Sequence, residues 1–343
     1  MKRKILLAIM FVCGEIVTGC QHKGIESTVE IKKMDFPSSC EKVESNVRFC
    51  TKINVSEDAN RILYESKAFR IEAENDKLVA SLLAVEGKKD TIQQPDQWSY
   101  IDEKGQMLYI DKDYVSYLSN SKEYDELMEL FLPSFQTKSL GDGISDFNNT
   151  EFLNKKEKIE QKINAMNIHN FKLYKCYEIN RIDANTPKVD KNENSEMRAD
   201  GIYWLGIEKW QGLPVISSMF YNGITDAWAP IQILETSRGI EKIQILYNLK
   251  FEKIKHKIQL QPFSKIAEAL EQEYSMILTS NKYDIMKAEM CFWTDIVQDE
   301  KEFVMEPVWV FTIHEYKPGE EDNYTEYQEV YSAVTAKSVV KTE

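Results

Sequence analysis

Several segments of this 343-residue chain alternate polar and apolar side chains at every second position. A run of that kind can bury one face only as an extended strand. In residues 46–55, Val47, Phe49, Thr51, Ile53 and Val55 fall on one side, and Arg48, Lys52 and Asn54 on the other. Residues 98–111 read as a hairpin turning at Lys104-Gly105. The spacing of Tyr124, Leu127 and Phe131 predicts a short helix, and the turn-rich stretch 133–149 closes this first region.

From about residue 154 an order of elements occurs twice. Ile159, Ile163 and Met166 mark one face of a helix. A strand follows with Phe171, Leu173, Tyr177 and Ile179 on one side. Beyond a polar loop at 183–199, residues 201–218 make two strands turned at Gln211-Gly212, and Ile243, Ile245, Tyr247 and Leu249 share a face of the next. The second pass starts with Ser264 as the N-cap of a helix striped by Ile266, Leu270, Tyr274 and Ile277. One strand with Met286, Ala288, Met290 and Phe292 inward follows, then one with Met305, Trp309, Phe311 and Ile313, then residues 324–340. Leu213-Pro214-Val215 echoes Glu306-Pro307-Val308. The expected class is α+β, with antiparallel meander sheets each carrying a packing helix and two tandem α-β-β-β(-β) units in the C-terminal two-thirds. A helix on one face of a meander leaves the other face to dimerise, to pack on the neighbouring half or to bind.

The first twenty residues address location rather than fold. Met1-Lys2-Arg3-Lys4 is a positive stretch, and Ile5–Gly14 an apolar run of ten residues closed by Glu15. As helix, ten residues cover about 15 Å, roughly half a hydrocarbon core, so the run reads as a secretion signal and not a permanent span. Val17-Thr18-Gly19-Cys20 resembles the bacterial lipobox. That resemblance implies cleavage before Cys20, diacylglyceryl attachment to its sulfur, and anchoring of the chain to the outer face of a membrane. Two acyl chains, at about 0.8 kcal/mol per buried CH₂, hold a protein at a membrane without a basic patch. None is expected here: the formal net charge is −13, which disfavours nucleic acid and anionic lipid alike.

Outside the cytoplasm thiols can oxidise. With Cys13 in the signal and Cys20 lipidated, Cys40, Cys50, Cys176 and Cys291 remain; Cys40 and Cys50 flank a short loop and are the candidate disulfide. The expected organisation is a signal at 1–19, a tether at 20–44, a β-rich region at 45–150, and α+β units at 154–255 and 256–343. No cysteine or histidine spacing matches a metal site, and no nucleophile elbow, phosphate loop or dinucleotide motif occurs. His22, His169, His256 and His314 read as solvated or structural residues. The stretch from Asp190 begins like a calcium loop but has Ser195 where the turn wants glycine and Gly201 where a bidentate glutamate belongs. Residues 318–326 read as an acidic hairpin tip. Trp204, Trp210, Trp228, Trp293 and Trp309 read as core and sheet-edge packing, with a stacking platform for sugar or peptide as the alternative.

Phe263–Leu270, Pro307–Phe311 and the stretch 332–340 resemble PepSY-type units, and the extracellular parts of the YycH/YycI regulators of a Gram-positive sensor kinase. In that family the last stretch reads Asp-Ala-x-Thr-Gly; here Ser332 stands for the aspartate and Ala336 for the glycine. The mature chain is also similar to lipoproteins of clostridial-type bacteria. Together these imply a non-catalytic lipoprotein that binds or regulates a protein partner at the envelope, with no cofactor, no catalytic residue and no metal ligand. The alternatives are a solute-binding lipoprotein for uptake, and an enzyme acting on wall polymers through two carboxylates.

Overall fold

The computed structural model describes residues 41–44, 46–60, 62–70, 81–82, 88–90, 97–111, 114–136, 143–145, 147, 150–166, 168, 171–180, 200–217, 229–246, 249–277, 279–297, 300–319 and 323–339. Cys20, Cys40, His22, His169, Trp228, the signal and the calcium-like stretch 190–199 lie outside them.

Two long strands, β14 (Lys282–Thr294) and β15 (Glu302–Tyr316), form the spine of the C-terminal half. Each is long enough for two neighbours to share one of its edges. β14 pairs in parallel with β2 (Val47–Asn54) along its first part and with β10 (Leu213–Ser217) along its last. β15 pairs with β3 (Tyr64–Arg70) near its start and β16 (Tyr324–Ser332) beyond, while β13 (Leu249–Lys257) lies outside β3 and β1 (Glu41–Glu44) outside β2.

The other half is an antiparallel run. Its strands are β8 (Phe171–Ile179), β9 (Gly201–Trp210), β11 (Ile231–Thr236), β12 (Gly239–Leu246), β7 (Tyr114–Leu118), β6 (Met107–Ile110), β5 (Trp98–Ile101) and β4 (Lys88–Asp90), in that spatial order. β10 pairs with both β9 and β14 and joins the halves into one α+β molecule with a mixed sheet.

Three helices cover these strands among the described residues. α1 (Lys122–Gln136) sets Leu127, Met128 and Phe131 on one face of the N-terminal run, against Tyr177, Tyr203, Leu205 and Leu234. α2 (Thr150–Ala165) sets Ile159 and Ile163 on the opposite face, against Leu173, Trp204, Ile233 and Ile243. α3 (Phe263–Ser275) packs Phe263, Ile266, Leu270 and Tyr274 onto one face of the spine, where Trp309, Phe311 and Ile313 are buried. Burying each such side chain contributes about 1.5–3 kcal/mol, so the apolar stripes rather than helix propensity hold the helices in place. A small cluster of Cys291, Trp293, Val308, Val310 and Val330 sits on the other face of the spine.

In chain order α2 is followed by β8, β9, β10, β11, β12 and β13, and α3 by β14, β15 and β16, but β10 and β13 pair into the C-terminal half, so the first pass does not close as a meander of its own. The turn at Gln211-Gly212 has φ of +48° and +82°, the primed geometry that suits a tight hairpin. Several details differ from expectation. Residues 239–253 are not one strand: β12 belongs to one half and β13 to the other. α3 starts after Pro262, which makes no side-chain cap bond, so Ser264 is inside the helix, and Ile277 lies beyond its end, 42% exposed. Proline at the boundary supplies a preset φ in place of a cap.

Two bulges matter more. In β8 the register slips between Leu173 and Lys175, so Phe171, Leu173 and Cys176 face α2 whereas Tyr177 and Ile179 face α1. In β14 it slips between Ile285 and Lys287. Tyr283 and Ile285 thus join Ala288, Met290 and Phe292 in the core, and Met286 is not one of that row. An extra residue in one strand inverts the phase of every side chain beyond it.

Candidate functional site

The bulge at Met286 turns Asp284 outward, away from α3, onto the face that also carries the Trp293 cluster. Four residues then stand in cross-strand register on four adjacent strands: Arg48 on β2, Asp284 on β14, His314 on β15 and Glu326 on β16. The Arg48 guanidinium meets Asp284 side-on, with Nε 2.9 Å from Oδ1 and the terminal nitrogen on Oδ2. That pairing holds the guanidinium even more firmly charged than usual. Asp284 is 7% exposed at its side chain and Arg48 56%, so the guanidinium projects from a buried carboxylate.

His314 Nε2 lies 2.9 Å from Glu326 Oε2, and the imidazole stacks on Tyr324 at 3.8 Å between centroids and 11° between planes. Tyr316 stands 5.7 Å from the Tyr324 ring, which is itself 46% exposed. Cys50, two residues beyond Arg48 on the same side of β2, is half-buried. On the next rows Lys287 pairs with Glu289 at 2.8 Å, and Asn54 Nδ2 donates to the same carboxylate at 3.1 Å.

This is a polar and aromatic surface whose charges are already paired and oriented. Pre-paired groups with an exposed guanidinium and an exposed tyrosine suit recognition of another surface, because little side-chain freedom remains to be lost on contact. Among the described residues no group of three or more His, Cys, Asp or Glu is placed to hold a metal.

Of the histidines, His314 enters the row, while His256 on β13 is exposed with Nδ1 3.3 Å from Glu65. Sequence reading treated both alike. The usable signal was the phase slip in Tyr283-Asp284-Ile285-Met286-Lys287-Ala288, where apolar residues change from odd to even positions. Among the described residues the tryptophans do not form a platform: Trp204, Trp293 and Trp309 are buried, and Trp210 packs on Phe251 at 5.4 Å. At the end of β16, Ser332 Oγ accepts from the amides of Val334 and Thr335 at 3.2 and 3.1 Å and donates to Glu306 at 3.0 Å. Ala336 in the same turn adopts φ +56°, a conformation glycine takes more readily.

No family model matches the chain, and none of the curated proteins it was compared with is similar in sequence. Among solved structures it is similar to an uncharacterized protein from Eubacterium rectale, at 13% identity and a TM-score of 0.61, over 92% of this chain and 97% of that one. At that identity the likeness shows the fold alone: an arrangement of these strands and helices that recurs in that protein.

Proposed function

We propose that this chain is a non-catalytic, lipid-anchored protein of the extracytoplasmic membrane face, tethered through Cys20, whose outer sheet face binds a protein partner at the cell envelope. The observation that supports it best is the Arg48–Asp284–His314–Glu326 row with its exposed Tyr324. It is laid on the one face of the β14–β15–β16 meander that α3 leaves uncovered. The two helix-then-meander segments read as tandem units of PepSY type, and Ser332 in place of the family aspartate is consistent with that kinship. A leash of 20 residues between Cys20 and β1 gives the folded part reach from the bilayer.

The test has two parts. Replacing Cys20 by serine should move the protein from the detergent phase to the aqueous phase in a cloud-point partition and abolish lipid labelling. A photo-crosslinking residue at Tyr324 in the living cell should yield a defined protein adduct that the same residue at Met276, on the other side of the sheet, does not give. Partition unchanged in the serine variant overturns the anchor; equal adducts, or none, from Tyr324 and Met276 overturn the binding face.

A further inference from the structure

The N-terminal half contains a buried ammonium with no anion beside it among the described residues. Lys242 on β12 is 9% exposed and lies on the α1 face of its sheet, in register with Leu234 and Leu118. Among the described residues its hydrogen-bonding partner is the Tyr203 hydroxyl, 3.3 Å from Nζ, and the ammonium lies 5.5 Å from the centre of the Tyr203 ring. That hydroxyl is already committed as a donor to Gln232 Oε1 at 2.6 Å. The neighbouring carboxylate, Glu241, is occupied with the hydroxyls of Ser119, Ser121 and Thr236. Buried cations are ordinarily paired with an anion, because burying an isolated charge costs far more than a hydroxyl contact returns.

The surroundings are hydroxyls and carboxamides, neutral groups that can donate or accept. Burial pushes the Tyr203 hydroxyl up, with Tyr124 and Tyr114 adding to it, and Gln244 and Ser116 follow Lys242 in the next row of the same face. α1 covers the β8–β9–β11 part of this face; Tyr124 belongs to α1, Tyr203 packs beneath it, and Lys242, Gln244, Ser116 and Tyr114 lie beyond it on β12 and β7. We infer that the edge of α1 over β12 is a binding site for a small organic carboxylate, held by Lys242 Nζ with the tyrosine rings against its apolar part. Consistent with a vacant charge, burial draws the Lys242 ammonium down to about 8. This site is independent of the outer face of the C-terminal sheet and stands or falls separately from it.

The probes are sodium benzoate and phenylacetate, with benzyl alcohol and benzylamine as uncharged and cationic counterparts, tested on the mature chain by saturation-transfer NMR and thermal unfolding. A carboxylate well above its Kd should raise Tm by about 2 °C or more in the native chain. Lys242→Met should abolish the NMR signal and the shift, and Tyr203→Phe should weaken binding by about threefold to tenfold by removing the hydroxyl that orients the amine. Because Lys242→Met removes a buried charge, it should fold at least as well as the native chain. Retained carboxylate binding in Lys242→Met, equal binding of benzyl alcohol, or no binding of either carboxylate to the native chain overturns the inference.

Discussion

At the residue scale, two positions show how local conformation is imposed by what surrounds it. Gly212 closes the β9–β10 hairpin at φ +82°, and a Cβ there would stand 1.9 Å from the Asp58 carbonyl oxygen. The turn is pressed against the N-terminal segment: the Asn60 amide donates to Gln211 O at 2.9 Å, and Gln211 Nε2 donates to Tyr64 O at 2.8 Å. Gly212→Ala adds positive-φ strain and a backbone clash, for a loss of roughly 3 kcal/mol or more, measurable as a drop in the urea midpoint at unchanged slope. Ala336 is the opposite case. It holds φ +56° without glycine's freedom, so Ala336→Gly should gain about 0.5–1 kcal/mol in the same measurement, provided the turn through Ser332 is retained. That this alanine stands where glycine would be easier was an expectation drawn from the sequence. The clash at Gly212 was not, since Asp58 is far away in the chain.

At the element scale, β9 carries the connection between the halves, and Glu208 sits near the end of its pairing with β8, buried and accepting from the Leu249 amide at 3.5 Å. Burial pushes its carboxyl well above the usual range, outweighing that bond. The folded state therefore keeps the proton at pH values where the unfolded chain has released it. Stability from this group is whole below the ordinary glutamate value, then falls as pH rises until the raised folded value is reached. Glu208→Gln retains an acceptor without the titration. Its Tm should exceed that of the native chain at pH 8, match it within about 1 °C at pH 4, and show a flatter pH profile between. The bulges belong to this scale too. Tyr174 and Met286 each interrupt an otherwise regular alternation. The first bulge lets one strand serve two cores, and the second sets Asp284 on the face away from α3. The second is marked in the sequence by the change of apolar phase around Met286, whereas Phe171, Leu173, Tyr177 and Ile179 keep one phase through the first, whose extra residue the partner strand decides.

At the scale of the whole molecule, Arg48 joins the N-terminal strand β2 to the C-terminal strand β14 through Asp284, a contact between residues more than two hundred positions apart. Arg48→Met should leave the nearly buried Asp284 without its cation and cost about 1–3 kcal/mol, less than for a fully buried pair because the guanidinium is half in water. Urea titration checks the cost, and a Tyr324 adduct lost in the same variant would tie the row to binding. The sequence by itself determined the α+β class, the faces of α1, α2 and α3 that are buried, and the hairpins at Gly105 and Gly212. These depend on side-chain period and turn chemistry within a few residues of one another, which local physics decides. Only the tertiary structure placed β2 and β10 end to end on β14, divided β12 from β13 between the two halves, assembled the Arg48–Asp284–His314–Glu326 row, and buried Lys242 against the Tyr203 hydroxyl. Those arrangements arise from which strand edges meet, and a strand's own alternation says which face it buries but not which neighbour it finds.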